Sequence, residues 1–446
     1  MRRVLFSLCL IVAAFPAFGK LFNAEEFFLD NGLQVVVVEN HKAPLIKQML
    51  WYKAGAIDEV PGKGGSAHLL EHLMFRGTDK LKDGEFNEVM KRHGAVSNAF
   101  TSHEVTAYHQ FADISRLEVL MALEADRMQN INFNEQAFET ERKIVFQERK
   151  QVVENDPSSS YDERLRVLLW GTTPYANPVT GTNTEIQALS FEDIMDFYQR
   201  FYAPNNALLV LSGDIDADTA RNLAEKYYGA IKSSQISRDT PAVISDKFVE
   251  TLEMKLPEIN AVKAEIVYLL PPHRQLRDAL YDYIVLAQYL GGGETSALYE
   301  KLVLTDKSFV GIGAAYNFTG LSNTVFKLHF LPSSDETFSA SDGFSEIETA
   351  MDNAMKKLNS KRLESIKRKL LADLVYVNDN PEDAAEWVGI MLTSGFTLDE
   401  IQNYEAKIKA VTLSGVQKAY ENLRHAASVR GVLRPMENRS GKGRAR

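Results

Sequence analysis

The stretch Gly64-Gly65-Ser66-Ala67-His68-Leu69-Leu70-Glu71-His72-Leu73-Met74 decides how the rest of the chain is interpreted. If it is helical, His68, Glu71 and His72 lie on one face, because residues three and four positions apart are neighbours on an α-helix. Two imidazoles and an adjacent carboxylate are the groups that a catalytic zinc ion requires. The order H-x-x-E-H is the inverted form of the common H-E-x-x-H zinc motif. The alternative is a pair of surface histidines on an ordinary helix, because a zinc site needs a third protein ligand.

Residues 135–153 offer that third ligand. They contain no proline or glycine and predict a strong helix. One stripe of this helix carries Phe138, Glu141, Val145, Glu148 and Val152. Carboxylates among apolar residues are costly to bury unless a cation or a hydrogen-bond network compensates their charge. The alternative is a half-exposed stripe in which both glutamates merely flank Arg142 and Arg149.

With these two segments the chain resembles the pitrilysin family of zinc peptidases (the inverzincins). The resemblance is strongest to the two-domain branch, which includes mitochondrial processing peptidase subunits and related bacterial peptidases. In that family the third ligand is a glutamate some 76 residues beyond the second histidine, and another acidic residue precedes it by seven. Glu148 lies 76 residues after His72, and Glu141 lies seven before Glu148. The resemblance implies one Zn²⁺ per chain on His68, His72 and Glu148, with Glu71 as general base and Glu141 as a supporting carboxylate.

The segment 97–108 reads as a turn between two strands. In the family the corresponding Asn-Ala-x-Thr segment is an exposed edge strand beside the metal, to which a substrate peptide adds through main-chain hydrogen bonds. By resemblance, Asn98, Ala99 and Phe100 are the candidates for binding substrate. The alternative is an ordinary hairpin with a capping asparagine. We interpret His103 and His109 as structural, because they lie off the helix geometry.

The predicted fold class is α+β, with two homologous α/β-sandwich-like domains that a linker joins, and the family resemblance implies that the two domains enclose a chamber. Strands and helices intermix along the chain, and its length exceeds one ordinary core. A glycine-rich loop followed by a helix occurs at 62–75 and again at 291–304, the second time without histidines, which predicts a duplicated unit. In the second copy, helices are predicted over 276–290 and 296–304, before and after the glycines. The predicted boundaries are a signal peptide (1–19), an N-terminal zinc-peptidase domain (20–232), a linker (233–248), a C-terminal domain without metal (249–433) and a disordered basic tail (434–446).

The first residues read as a secretory signal. Met1-Arg2-Arg3 precedes a short apolar run, and Ala17-Phe18-Gly19 fits cleavage before Lys20. The only cysteine, Cys9, falls within this segment, so the mature protein cannot depend on disulfides. An uncleaved anchor is the alternative, although the run is short for a membrane span. We expect an exported protein without a membrane span after signal removal, periplasmic if the source is Gram-negative and otherwise secreted.

The charge balance is acidic. The formal net charge of −10 becomes −12 when Arg2 and Arg3 leave with the signal. An acidic chain argues against nucleic acid as a partner and is compatible with basic peptides.

The second half departs from the family in one respect. Many members carry an arginine and, seven residues on, a tyrosine that contribute to substrate binding and carbonyl stabilisation. Aligning 296–302 with that segment places Val303 and Val310 there, and neither side chain donates a hydrogen bond. Either another group serves, or a zinc-free homologue that carries the Arg/Tyr pair supplies it in a heterodimer.

The expected function is zinc-dependent hydrolysis of unfolded or short peptides, with Glu71 as the base that takes a proton from water. Two alternatives remain. A non-catalytic or peptide-binding subunit of a larger assembly is expected to have lost a ligand or the base, and all five positions are intact. A scaffold with structural zinc would normally present four protein ligands.

Overall fold

The computed structural model describes residues 21–154, 156–335 and 338–436. The predicted signal peptide 1–19 and most of the predicted tail lie outside these ranges. The described residues form two mixed helix and sheet units, which confirms the predicted two-domain α+β class.

The first unit contains a six-stranded sheet in the order β1-β2-β6-β3-β5-β4. Its strands are β1 (Ala24–Phe28), β2 (Gln34–Glu39), β3 (Leu45–Tyr52), β4 (Val96–Thr101), β5 (Thr106–Asp113) and β6 (Ala207–Gly213). Within this sheet, only β2 and β6 pair in parallel. Strands β1 and β2 form a hairpin with Asn31-Gly32 in its turn. Strand β4 lies at the edge, paired to β5 alone.

The described residues of this half of the chain form eight α-helices. They are α1 (Ser66–Leu73), α2 (Glu85–Arg92), α3 (Leu117–Asn130), α4 (Glu135–Arg149), α5 (Pro157–Trp170), α6 (Asn183–Ala188), α7 (Phe191–Phe201) and α8 (Ala217–Tyr228). Helix α4 continues into a π-helical turn, Lys150–Glu154. Helices α1, α3, α4, α7 and α8 bury their apolar faces in one core against the first sheet.

The second unit contains a five-stranded sheet in the order β7-β11-β8-β10-β9. Its strands are β7 (Val249–Leu256), β8 (Lys263–Leu270), β9 (Phe309–Asn317), β10 (Thr324–Pro332) and β11 (Ala427–Pro435). The helices are α9 (His273–Leu276), α10 (Ala279–Gly291), α11 (Ala340–Lys357), α12 (Ser360–Asp379), α13 (Pro381–Thr393), α14 (Leu398–Gln402), α15 (Tyr404–Ala410) and α16 (Leu413–Arg424).

The two halves exchange helices. Helix α5 lies on the second sheet, where Leu165 and Leu169 share a core with Val429 of β11. Helix α13 lies on β3 and β6 of the first sheet, and its Gly389 sits against the indole of Trp51. The predicted linker 233–248 forms no helix or strand and is docked: Arg238 donates to both carboxylate oxygens of Asp58 at 2.7 and 3.0 Å.

Three sequence predictions need correction. Strand β11 continues to Pro435, so the predicted tail cannot begin at residue 434, and this central strand had not been recognised as one. The segment predicted as a helix over 296–304 is π-helical over Tyr299–Thr305. The helix predicted over 276–290 is broken at Arg277, which has a positive φ of 51° and separates α9 from α10.

Candidate metal centre

Helix α1 begins where the backbone requires a glycine. Gly65 has a φ of 90°, and a β-carbon there would lie 2.6 Å from the carbonyl oxygen of Thr180. The carboxylate of Glu59 accepts hydrogen bonds from the backbone N–H groups of Gly65 at 3.1 Å and Ala67 at 2.9 Å. A carboxylate at a helix N-terminus also meets the favourable end of the helix dipole. These contacts hold the start of α1 in one orientation.

The two faces of α1 have different surroundings. Ala67, Leu69, Leu70 and Leu73 are buried in the core of the first unit. His68, Glu71 and His72 lie on the remaining face and are partly exposed. The burial of the leucines therefore sets the direction in which the predicted ligands point.

Helix α4 brings the predicted third ligand to this face. Asn134 caps the helix by accepting from the N–H of Ala137 at 2.8 Å. Phe138, Glu141 and Val145 are buried, as the predicted stripe requires. The stripe ends earlier than predicted, because Val152 falls in the π-helical turn and is 53% exposed.

The alternative for this stripe, in which its glutamates merely flank the neighbouring arginines, does not hold. Arg142 pairs with Glu139 instead, and Arg149 pairs with Glu163. Both predicted carboxylates are thereby left to face helix α1.

Three ligand atoms converge between α1 and α4. One atom each from His68, His72 and Glu148 lies within 4.8 Å of the other two. Glu148 Oε2 is 3.5 Å from His72 Nε2 and 4.0 Å from His68 Nε2. Among the residues that the structure describes, this is the only group of three His, Cys, Asp or Glu side chains close enough to hold a metal ion.

The second nitrogen of His72 is held by Glu141. Its Nδ1 lies 3.0 Å from Glu141 Oε2, and the other Glu141 oxygen accepts from Arg76, which also bonds Asp83. This contact leaves Nε2 of His72 free to face Glu148. An outer carboxylate on the far nitrogen of a histidine is the arrangement that orients metal-binding imidazoles.

The protonation tendencies follow from these contacts. Burial lowers the pKa of His68 to about 4, which favours its neutral form. Burial also opposes a charge on His72, but its hydrogen bonds to Glu141 and Glu148 outweigh it and raise the pKa to about 9. The hydrogen bond from His72 lowers the pKa of Glu148.

Glu71 faces the same space from the middle of α1. Its Oε2 accepts a hydrogen bond of 2.6 Å from the hydroxyl of Thr101, the last residue of β4. Burial raises the pKa of Glu71, although the Thr101 hydroxyl acts in the opposite direction. A raised pKa moves a carboxylate towards the range in which a general base works well near neutral pH.

The predicted substrate segment lies next to these residues. Asn98, Ala99 and Phe100 belong to the edge strand β4, which contacts α1. Ala99 lies on the α1 face of the sheet, whereas Phe100 lies on the opposite face, 5.4 Å from the Trp51 ring. The outer edge of β4 pairs with no other described strand, so its backbone groups are available to an added peptide.

His103 and His109, the two histidines interpreted above as structural, have local partners. His103 Nε2 lies 3.0 Å from the carbonyl oxygen of Asn177. His109 Nδ1 accepts from Lys47 at 2.9 Å, and Lys47 also pairs with Glu382 of α13. These contacts agree with the structural interpretation of both histidines.

The donor set fits zinc. Two imidazole nitrogens and one carboxylate oxygen form the three-ligand set of a catalytic zinc site, which keeps a position open. Both histidines present Nε2 to the shared carboxylate, and Nδ1 of His68 is buried without a partner among the described residues. A fourth protein ligand, which a structural site would supply, is not found among those residues.

Sequence reasoning missed three residues of this site: Glu59, Arg76 and Thr101. Each acts through a contact between segments distant in sequence or through a backbone N–H group. Strand alternation places Thr101 on the same face as Ala99, but it does not reveal that α1 covers that face.

The two valines of the second half do not add a donor. Val303 lies in the π-helical segment and packs partly against the core, and Val310 on β9 is 61% exposed.

No helix among the described residues combines the length and apolar character needed to cross a membrane.

Comparisons with known proteins identify the family of the chain. The family described as "Insulinase (Peptidase family M16)" matches residues 34–183, and the family described as "Peptidase M16 inactive domain" matches residues 188–370. Zinc protease PqqE of Helicobacter pylori is 31% identical over 305 residues, which span 65% of this chain and 66% of that protein.

A probable mitochondrial-processing peptidase subunit beta of Schizosaccharomyces pombe is 24% identical over 72% of this chain and 66% of its own length. The crystal structure of a protease from Helicobacter pylori superposes with a TM-score of 0.84 at 27% identity, covering 93% of this chain and all of that one. The chain belongs to the peptidase M16 (insulinase/pitrilysin) family.

Proposed function

We propose that this chain is a zinc-dependent endopeptidase that hydrolyses unfolded or short peptides. The observation that carries the proposal is the convergence of His68, His72 and Glu148 with Glu71 on the same helix face. Intact ligands and an intact base favour catalysis over a purely peptide-binding subunit.

When bound, one zinc ion would polarise a water molecule and the scissile carbonyl group. His68, His72 and Glu148 would hold it, and Glu141 keeps the His72 ring in the orientation that presents Nε2. Glu71 takes a proton from the attacking water and passes it to the leaving amine. The free edge of β4 orients the peptide by adding it as a strand, with Asn98, Ala99 and Phe100 alongside it.

Two features favour flexible substrates. Only an extended segment can add to an edge strand, and the exchange of helices α5 and α13 keeps the two halves together around the space between them. A cavity of about 660 Å³ lies there, lined by Phe100 and Trp170 from the first half and Val325 from the second. We propose that this space belongs to the predicted chamber.

The proposal extends to partner and location. Val303 and Val310 leave the second half without the hydrogen-bond donors expected from the family resemblance, so a zinc-free homologue that carries the Arg/Tyr pair is the proposed partner in a heterodimer. The basic start and apolar run of residues 1–19 support export, to the periplasm in a Gram-negative cell.

The test is cleavage of a mixture of unstructured peptides by the zinc-loaded chain, analysed by mass spectrometry. Glu71→Gln keeps the shape of the side chain and removes the base, so cleavage should be lost while zinc remains bound. Glu192→Gln, an exposed position on α7, is the matched control and should cut normally. Undiminished cleavage by Glu71→Gln would contradict the proposal. The same assay with an Arg/Tyr-bearing relative tests the heterodimer.

A further inference from the structure

The side chain of Glu71 is anchored at a single point. Its hydrogen bond from Thr101 Oγ1, 2.6 Å long, is the only one to this carboxylate among the residues that the structure describes. Glu71 is otherwise a flexible side chain on a partly exposed helix face. A base must be held in a productive geometry to work, since small displacements cost large factors in rate.

The surroundings of Thr101 direct its proton towards Glu71. Thr101 pairs across the sheet with Thr106 of β5, and the two hydroxyl oxygens are 3.4 Å apart. Thr106 donates its own proton to the carbonyl oxygen of Ala54 at 3.1 Å. Because an ionised carboxylate only accepts hydrogen bonds, the Thr101 hydroxyl is the donor in its 2.6 Å bond to Glu71.

The position of Thr101 in the sheet gives this bond a second consequence. Thr101 is the last residue of β4, the edge strand to which we propose that the peptide adds. Its backbone belongs to the strand, and its side chain belongs to the environment of the base. A peptide added to β4 therefore lies on the same strand as the group that holds Glu71.

We propose that Thr101 is a positioning residue that holds the Glu71 carboxylate in its working orientation and links the substrate-binding edge to the base. This inference rests on the proposed peptidase function. The branched shape of Thr101 supports the strand, and the hydroxyl performs the positioning.

The test compares Thr101→Val, which keeps the branched shape and removes the hydroxyl, with Thr101→Ser, which keeps the hydroxyl. Thr324→Val is the matched control, because it removes a buried hydroxyl from β10 of the second sheet and leaves Thr101 and Glu71 untouched. For Thr101→Val we expect kcat to fall about 10- to 100-fold, the range seen when groups that orient reacting side chains are removed. KM and zinc content should be unchanged, and Thr101→Ser should restore most of kcat.

A readout independent of activity is the position of the Glu71 side chain in crystal structures. The wild type and Thr101→Ser should show one carboxylate orientation, and Thr101→Val should show a displaced carboxylate or several orientations. Wild-type kcat in Thr101→Val, or an equal loss in Thr324→Val, would overturn the inference. If the wild type cleaves and Glu71→Gln does not, such a result removes the role of Thr101 alone. If Glu71→Gln also cleaves, the proposed function itself fails.

Discussion

The two halves of the molecule use a similar local arrangement for different ends. In the first half, a glycine loop leads into α1, which carries two histidines and a glutamate beside a free edge strand. In the second half, Gly291-Gly292-Gly293 leads into the π-helical segment Tyr299–Thr305, which carries no histidine. Among the described residues, the candidate metal ligands are therefore confined to one helix pair, α1 and α4, while the second half supports the first by packing α13 on its sheet.

The largest expected effect comes from removing a ligand in the first half. His72→Ala removes one of three ligands and leaves Glu141 without its partner, so zinc and peptide cleavage should both be lost. Zinc content by elemental analysis and peptide cleavage by mass spectrometry measure these outcomes. His425→Ala, at an exposed position of the second half, should change neither. Full zinc content in His72→Ala would place the metal elsewhere.

The next effect concerns the carboxylate behind His72. Glu141→Gln keeps the size of the side chain but weakens its hold on the imidazole, so zinc affinity should fall about 10- to 100-fold. Competition with a zinc chelator measures this. Glu139→Gln on the same helix, whose carboxylate faces Arg142, is the control and should bind zinc as the wild type does. Equal affinities in the two variants would mean that Glu141 does not support the site.

A third effect tests the support that the second half gives. Gly389 of α13 lies so close to Trp51 that a β-carbon would come within 2.2 Å of the indole. Gly389→Ala should therefore destabilise the protein by about 1–3 kcal/mol through overpacking. Thermal or urea unfolding measures the change, and Glu386→Ala on the exposed face of α13 is the control. An unchanged stability would show that the two halves can separate at this contact at no cost.

The smallest effect is a pH dependence of stability where α13 meets the first sheet, at the contact of His109 with Lys47 and Glu382. Burial lowers the pKa of His109 to about 4, with Lys47 acting in the same direction and Glu382 in the opposite one. A histidine whose folded pKa lies below its unfolded value of 6.5 contributes stability that is lost as pH falls from about 6.5 towards 4, because the unfolded chain takes up the proton first.

His109→Gln does not titrate, so its unfolding temperature should fall less between pH 6.5 and pH 5 than that of the wild type. Thermal unfolding across this interval measures the difference. Parallel curves for the two proteins would mean that another group controls the acid sensitivity.

Much of this site could be predicted from sequence because its residues are spaced at helical intervals within single helices. The spacing of His68, Glu71 and His72 on a helix, and of Glu141 and Glu148 on another, needs no knowledge of tertiary contacts. The family resemblance gives the register between the two helices, and the structure brings the three ligand atoms together.

The remaining features depend on contacts that sequence does not display. Strand β11 follows a long helical region and gains its place only by pairing between β7 and β8. Val152 continues the helical stripe in sequence, but a π-helical turn rotates it into solvent. Thr101 is the threonine of the Asn-Ala-x-Thr segment, but its contact with Glu71 depends on the tertiary packing of α1 on β4. Glu59 acts through backbone N–H groups at the start of α1, which residue spacing does not display.

The most direct test of the proposed zinc site is anomalous diffraction at the zinc edge from crystals of the zinc-loaded chain. We expect one strong peak per chain, bound by His68 Nε2, His72 Nε2 and a carboxylate oxygen of Glu148, with Glu71 facing it and no peak in the second half. A peak at another position, or no peak in zinc-saturated crystals, would contradict the proposed site.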